Sequence, residues 1–214
     1  MKVIGINGSP RKKWNTAELL ENALSGCESQ GAETELIHLY DLDFKGCTSC
    51  FACKLKEKKS YGKCSMKDSL APILDKIREA DGIILGSPIY FGCATGEMRS
   101  FMERLLFPYL VYANPPVSLF PKKIKTAFIY TMNVSEEQRK EFYSVYTDSC
   151  ENFLARTFGD CESLFCTETL QFQDYSKVEF SYCNPEDRIK RHETVFPKDC
   201  ERAFELGKRI AAPV

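Results

Sequence analysis

The sequence predicts an α/β fold, a doubly wound, five-stranded parallel sheet with helices on both faces. Apolar, strand-like runs alternate with stretches of helical periodicity along the whole chain. The run GIILGS, residues 82–87, is apolar throughout, as expected of a central strand covered on both faces. The 214 residues, 43% hydrophobic and 28% charged, are enough for one full core, so a single domain over 1–214 is expected.

The elements follow in order. VIGIN, residues 3–7, is the first strand, and Leu19, Leu20, Ala23, Leu24 and Cys27 recur at helical spacing in a helix ending near Gly31. TELIHLY, residues 34–40, is the second strand, followed by a cysteine-rich loop at 44–67. In DSLAPILDKIREA, Leu70, Ile73, Leu74 and Ile77 line one helical face; Asp68 or Ser69 can cap it, and Pro72 falls in the tolerated first turn. After the third strand, TGEMRSFMERLLF carries a stripe of Met98, Phe101, Met102, Leu105 and Leu106. IKTAFIYT, residues 124–131, is the fourth strand, and a long helix is predicted from about Glu136 to Phe158. CESLFCTETLQF, residues 161–172, is the fifth strand, and PKDCERAFELGKRI forms the closing helix. Residues 172–197 are polar, aromatic and aperiodic, and an unstructured loop of that length is uncommon. Phe172, Tyr175, Phe180 and Tyr182 carry more apolar area than a solvated loop needs, so a flap that covers a ligand or meets another subunit is expected.

The net charge of −1 lacks the basic footprint of a nucleic-acid binder. No apolar stretch approaches the roughly 20 residues that span a bilayer, and the first residues enter a strand directly, so a cytoplasmic location is expected. The 11 cysteines then read as reduced thiols, metal ligands or redox groups, most of the scattered ones being small core residues.

Two loops carry the chemistry. GSPRKKWNT, residues 8–16, lies between the first strand and first helix, where a doubly wound sheet binds ligands. The free amides and dipole of a helix N-terminus favour an anion there, and Ser9, Arg11, Asn15 and Thr16 add hydroxyl, guanidinium and amide donors. GxxxxGK[ST] and GxGxxG are both absent, which leaves a monophosphate. GSPIYFGCATGEM, residues 86–98, ends the third strand; Pro88 stiffens it, Gly92 allows close backbone approach, and Tyr90 and Phe91 offer flat faces to a planar ring. The alternative is an ordinary turn with both aromatics folded into the core.

GSPRKKWNT, GSPIYFG, FIYTMN and the closing FPKDCERAFELGKRI resemble the NADPH-dependent FMN reductase and iron–sulfur flavoprotein group of flavodoxin-like proteins, over nearly the whole chain. The resemblance implies strand order 2-1-3-4-5 and FMN, with Ser9, Arg11, Asn15 and Thr16 at the phosphate. It sets Pro88, Ile89, Tyr90, Phe91 and Gly92 beside the isoalloxazine, with Thr131, Met132 and Asn133 completing a third loop. Trp14 stands where the family often has a small residue; covering the phosphate, packing on a partner and simple exposure are all open. With FMN bound, the protein supplies orientation and electrostatics and no catalytic triad is needed. His38 reads as structural and His192 as solvated.

CTSCFACKLKEKKSYGKC brings Cys47, Cys50, Cys53 and Cys64 into 18 residues. Its C-x2-C-x2-C opening resembles the iron–sulfur flavoprotein motif, which implies a [4Fe–4S] cluster. The ten residues between Cys53 and Cys64 depart from that pattern, and a lysine-rich gap of this length makes a compact cage costlier to order. A thiol-rich loop without metal and a structural zinc site are the alternatives. The expected activity is electron transfer from NAD(P)H to a small acceptor in a homodimer or homotetramer, the alternatives being single-electron relay between protein partners and a non-enzymatic sensor.

Overall fold

The computed structural model describes residues 1–212. In chain order the elements are β1 (Lys2–Asn7), α1 (Asn15–Glu28), β2 (Glu33–His38), α2 (Ala71–Glu79), β3 (Gly82–Tyr90), β4 (Cys93–Ala94), α3 (Gly96–Leu106), β5 (Leu110–Val111), β6 (Val117–Ser118), β7 (Lys125–Thr131), α4 (Glu136–Phe142), α5 (Ser144–Phe158), β8 (Glu162–Cys166), α6 (Pro185–Thr194) and α7 (Phe196–Ala211). The main sheet runs β2-β1-β3-β7-β8, all parallel, with β4 pairing antiparallel on the end of β3. Among the five parallel strands this is the order 2-1-3-4-5, flavodoxin-like.

Helices cover both faces. Ile4, Ile6, Ile83, Leu85, Phe128 and Tyr130 point into one core with Ile77, Phe101 and Leu154. Val3, Ile84, Ala127 and Ile129 point into the other, with Leu20, Ala23, Leu206 and Ile210. This alternation is the period-2 signature of a sheet buried on both sides. In the second layer α1 and α7 cross at two glycines. A Cβ on Gly26 would stand 2.0 Å from Phe204 O, and one on Gly207 1.7 Å from Ala23 O. Only bare backbone lets the helices approach this closely.

Three expected elements differ. The long helix at 136–158 is two, α4 and α5, meeting at Tyr143. Ser135 and Gln138 form a reciprocal capping box that starts α4. The fifth strand stops at Cys166, because Glu168 takes a positive φ of 54° and the chain turns across the end of β7. Residues 172–197 hold α6, with Asn184 accepting the Glu186 amide and Pro185 at the first position, so the flap is helical in part. Phe172, Tyr175 and Phe180 pack edge-to-face on one another, with ring centroids 4.8–6.2 Å apart. His192 is only partly solvated: it stacks on Phe196 at 4.9 Å, and its Nδ1 is buried.

Candidate flavin site and cysteine loop

Four segments meet at the carboxyl ends of β1, β3, β7 and β8. Ser9, Arg11, Trp14, Asn15 and Thr16 line one cavity together with Pro88, Ile89 and Tyr90. Thr131, Met132 and Asn133 complete the expected set, and Thr169, Leu170 and Gln171 close it from the far side.

Buried Asn7 shapes the first loop. Its Oδ1 accepts the Ser9 amide at 2.9 Å, and its Nδ2 donates to His38 Nδ1 at 2.9 Å, which gives His38 its structural role. Ser9 Oγ accepts the Arg11 amide at 3.1 Å. No side chain caps α1, and Glu18 N–H, bonded to Trp14 O, follows the free first-turn amides. These amides and the surrounding donors make an anion cradle. Thr16 Oγ1 and Thr131 Oγ1 share a 2.8 Å hydrogen bond that joins α1 to β7.

The strand-end residues Thr169–Gln171 were not foreseen, because CTETLQF reads as continuous strand. Trp14 Nε1 donates to Leu170 O at 3.1 Å, Asn15 Nδ2 to the same oxygen at 2.8 Å, and Arg11 Nη1 to Gln171 O at 2.6 Å. Trp14 is thus tied to the loop beside the cradle. Tyr175 Oη accepts the Gln171 amide at 3.1 Å, so the flap buttresses the site. Arg188 of α6, 5% exposed, donates Nε to Asn133 Oδ1 at 2.8 Å and Nη2 to Asn133 O at 3.1 Å. Its third partner is Glu168, at 2.8 Å.

Phe91 and Gly92 lie outside the cavity lining. They form the two-residue turn between β3 and β4, both with positive φ, 50° and 82°, as a type I′ hairpin requires. Phe91 is fully exposed there.

The family model for NADPH-dependent FMN reductase matches residues 1–128. The chain belongs to that family. FMN is accordingly its cofactor, and the cradle of free amides, hydroxyls and a guanidinium suits a phosphate monoester. An iron–sulfur flavoprotein of Methanocaldococcus jannaschii is 46% identical over 104 residues, which are 49% of this chain and 51% of that protein. One of Archaeoglobus fulgidus is 44% identical over 104 residues, 49% and 48% of the two chains. The chain spans about half the length of these curated relatives. An azoreductase from Bacillus anthracis has the same fold, with a TM-score of 0.68 at 15% identity over 98% of this chain and 99% of that one.

The cysteine loop lies against α3. Cys47, Cys50, Cys53 and Cys64 line a second, smaller cavity with Arg104 and Phe107. The turn through the first three is tight: Ser49 and Phe51 take positive φ, 53° and 55°, a conformation that non-glycine residues adopt only under constraint. Burial raises the Cys53 thiol, whereas the Ala52 amide lowers that of exposed Cys50. The lysine-rich gap is pinned at several points. Gly62 N–H donates to Cys53 O at 3.0 Å, and Ser60 Oγ to Ala52 O at 3.0 Å. Lys54 Nζ donates to the Phe107 and Leu110 carbonyls, in the turn after α3 and at the start of β5. Arg104, 1% exposed, donates to Cys64 Sγ, Lys45 O and both Asp68 oxygens, holding the two flanks of the loop together. Asp68 serves Arg104 and also accepts the Leu70 amide at 3.2 Å at the entry to α2, whose own N-cap residue, Leu70, makes no side-chain cap. Among the described residues no three His, Cys, Asp or Glu side chains are grouped to hold a single ion, and no helix is long and apolar enough to cross a membrane.

Proposed function

We propose that the protein is an FMN-dependent oxidoreductase passing electrons from NAD(P)H to a small acceptor. The convergence of four strand-end segments on one cavity, ten of the twelve expected flavin residues among its lining, carries this reading. FMN, when bound, supplies hydride acceptance and release of electrons singly or in pairs. The chain's own residues bind and orient. The free amides of α1, Ser9, Arg11, Asn15 and Thr16 take the phosphate, and Pro88, Ile89 and Tyr90 form one wall for the ring. Thr131–Asn133, braced by Arg188, form the other. No side chain has to move a proton: His38 is occupied by Asn7, and His192 packs on Phe196. Overall, reduced nicotinamide gives up a hydride, and the acceptor gains two electrons with protons completed from solvent. We further propose a homodimer or homotetramer, since Phe142 and Val145 leave large apolar surfaces, 62% and 83% exposed.

The cysteine cavity supports a second reading, an iron–sulfur flavoprotein relaying single electrons. Four thiols around one cavity, from a loop pinned at both flanks, suit a [4Fe–4S] cluster with Cys47, Cys50, Cys53 and Cys64 as ligands. The ordering cost raised by the long gap is offset by the hydrogen bonds within the loop. Anaerobic purification, visible spectroscopy and metal analysis test both readings. About four irons per chain in wild type and none in Cys50→Ser, with FMN in both, would support the cluster. Iron-free wild type would leave only the flavin enzyme, and absence of FMN would defeat the first reading.

A further inference from the structure

A cavity of about 480 Å³ opens between α3 and α5, on the far side of Cys47 from the cysteine cavity. That volume falls in the range of small-molecule sites, about 300–1,000 Å³. Its walls are apolar, with Met102, Leu106 and Phe107 from the α3 side and Phe153 from α5. Each wall helix also contributes one arginine, Arg99 from α3 and Arg156 from α5. Neither joins an ion pair among the described residues. Arg156 lies over the Phe153 ring, 6.0 Å from its centroid. The carboxylate in the lining, Glu103, is occupied, its Oε2 accepting the Cys47 amide at 3.0 Å. With two arginines set against the one Glu103 carboxylate, the cavity combines apolar walls with a net positive charge, which favours an anion with a large apolar body.

The cavity also touches the redox loop. Cys47, Glu103 and Phe107 line both cavities and form the partition between them. The loop presses hard on α3 at this point, where a Cβ on Gly46 would stand 2.7 Å from Glu103 Oε2. An occupant would lie directly against Cys47.

We propose that this cavity binds an apolar small molecule carrying a negative charge, and that this molecule is the acceptor served by the cysteine loop. The acceptor role rests on the iron–sulfur reading; the binding does not. In that role two electrons originate from reduced nicotinamide, which leaves oxidised, and the bound molecule takes them up with protons from solvent.

The test is calorimetric titration of FMN-loaded protein with naphthalene-2-sulfonate, and with neutral naphthalene-2-sulfonamide as the uncharged control. Saturable binding of one sulfonate per chain is expected. It should weaken at least tenfold in Arg99→Gln/Arg156→Gln, while sulfonamide affinity stays unchanged. Leu106→Trp, which fills the cavity, should abolish both; if it fails to fold, the exposed arginine pair still decides. No saturable binding, or sulfonate affinity unaffected by the arginine replacements, would overturn the proposal. So would an oligomer that Leu106→Trp splits in light scattering, because a second copy would then fill the groove. Binding as expected in iron-free protein would keep the site and remove the acceptor role along with the iron–sulfur reading.

Discussion

Arg104 Nε donates to Cys64 Sγ across 3.1 Å, from a side chain with no exposed surface. The same guanidinium forms a two-pronged pair with Asp68, at 2.6 and 2.9 Å, and that hydrogen bonding holds the Asp68 carboxyl below its usual range. Breaking a buried pair from one side leaves the other charge stranded, typically at about 3–5 kcal/mol. Asp68 keeps 19% of its side chain in solvent, so Arg104→Gln should lower stability by about 2–4 kcal/mol in urea unfolding. Arg104→Lys should recover little, since an ammonium cannot reproduce the fork. Wild-type stability in Arg104→Gln would show that the pair does not hold the loop.

A second prediction concerns the Thr16–Thr131 bond. Thr16→Val removes a donor from the phosphate cradle and should weaken FMN about tenfold or more, consistent with about 1.5–3 kcal/mol for a hydrogen bond to a charged group. It also leaves the buried Thr131 hydroxyl without its partner, at about 1 kcal/mol of stability. Replacing both threonines by valine should therefore destabilise by less than the sum of the single changes. Strict additivity in the double-mutant cycle would mean that the two hydroxyls do not depend on each other.

Arg188 gives a third prediction, because it reaches the flavin cavity only through Asn133. Arg188→Met keeps the aliphatic stem and removes all three hydrogen bonds. FMN affinity should fall several-fold in fluorescence titration of the apoprotein, with far-UV circular dichroism unchanged. Undiminished affinity would make α6 a bystander.

These residues mark the limits of what was legible beforehand. The sheet could be read because each strand is a run of β-branched and apolar residues framed by helical stripes, and GSPRKKWNT and GSPIYFG stood out by composition. Thr169, Leu170 and Gln171 could not be found, because nothing local in CTETLQF signals that Glu168 turns with positive φ. Arg188 looked like one more cation in a polar segment; its burial depends on Asn133 and Glu168, 55 and 20 residues away. Phe91 is a different case. Its flat face suggests a ring contact, and the short β3–β4 pairing sets it on an exposed turn outside the cavity lining. The tie from Arg104 to the cysteine loop was likewise hidden, since a helical arginine usually faces water.

The last prediction uses the buried thiols. Cys27 has no exposed surface, its Sγ–H donates to Gly207 O at 3.2 Å, and burial followed by the neighbouring Glu28 carboxylate pushes its pKa up to about 12. An unfolded cysteine ionises near 8.5. Above that pH the unfolded chain releases this proton while the native protein keeps it, so the native state binds more protons and stability falls as pH rises. The contribution is fully present below the unfolded value and is lost progressively between about pH 9 and the folded value of about 12. The slope reaches up to about 1.4 kcal/mol per pH unit for one thiol. Cys27→Ala should thus be less stable than wild type at pH 7, through a lost sulfur contact, yet lose less stability between pH 9 and 10.5. Urea unfolding of both proteins across that interval measures the difference, and parallel pH profiles would show that Cys27 ionises alike in the folded and unfolded chain.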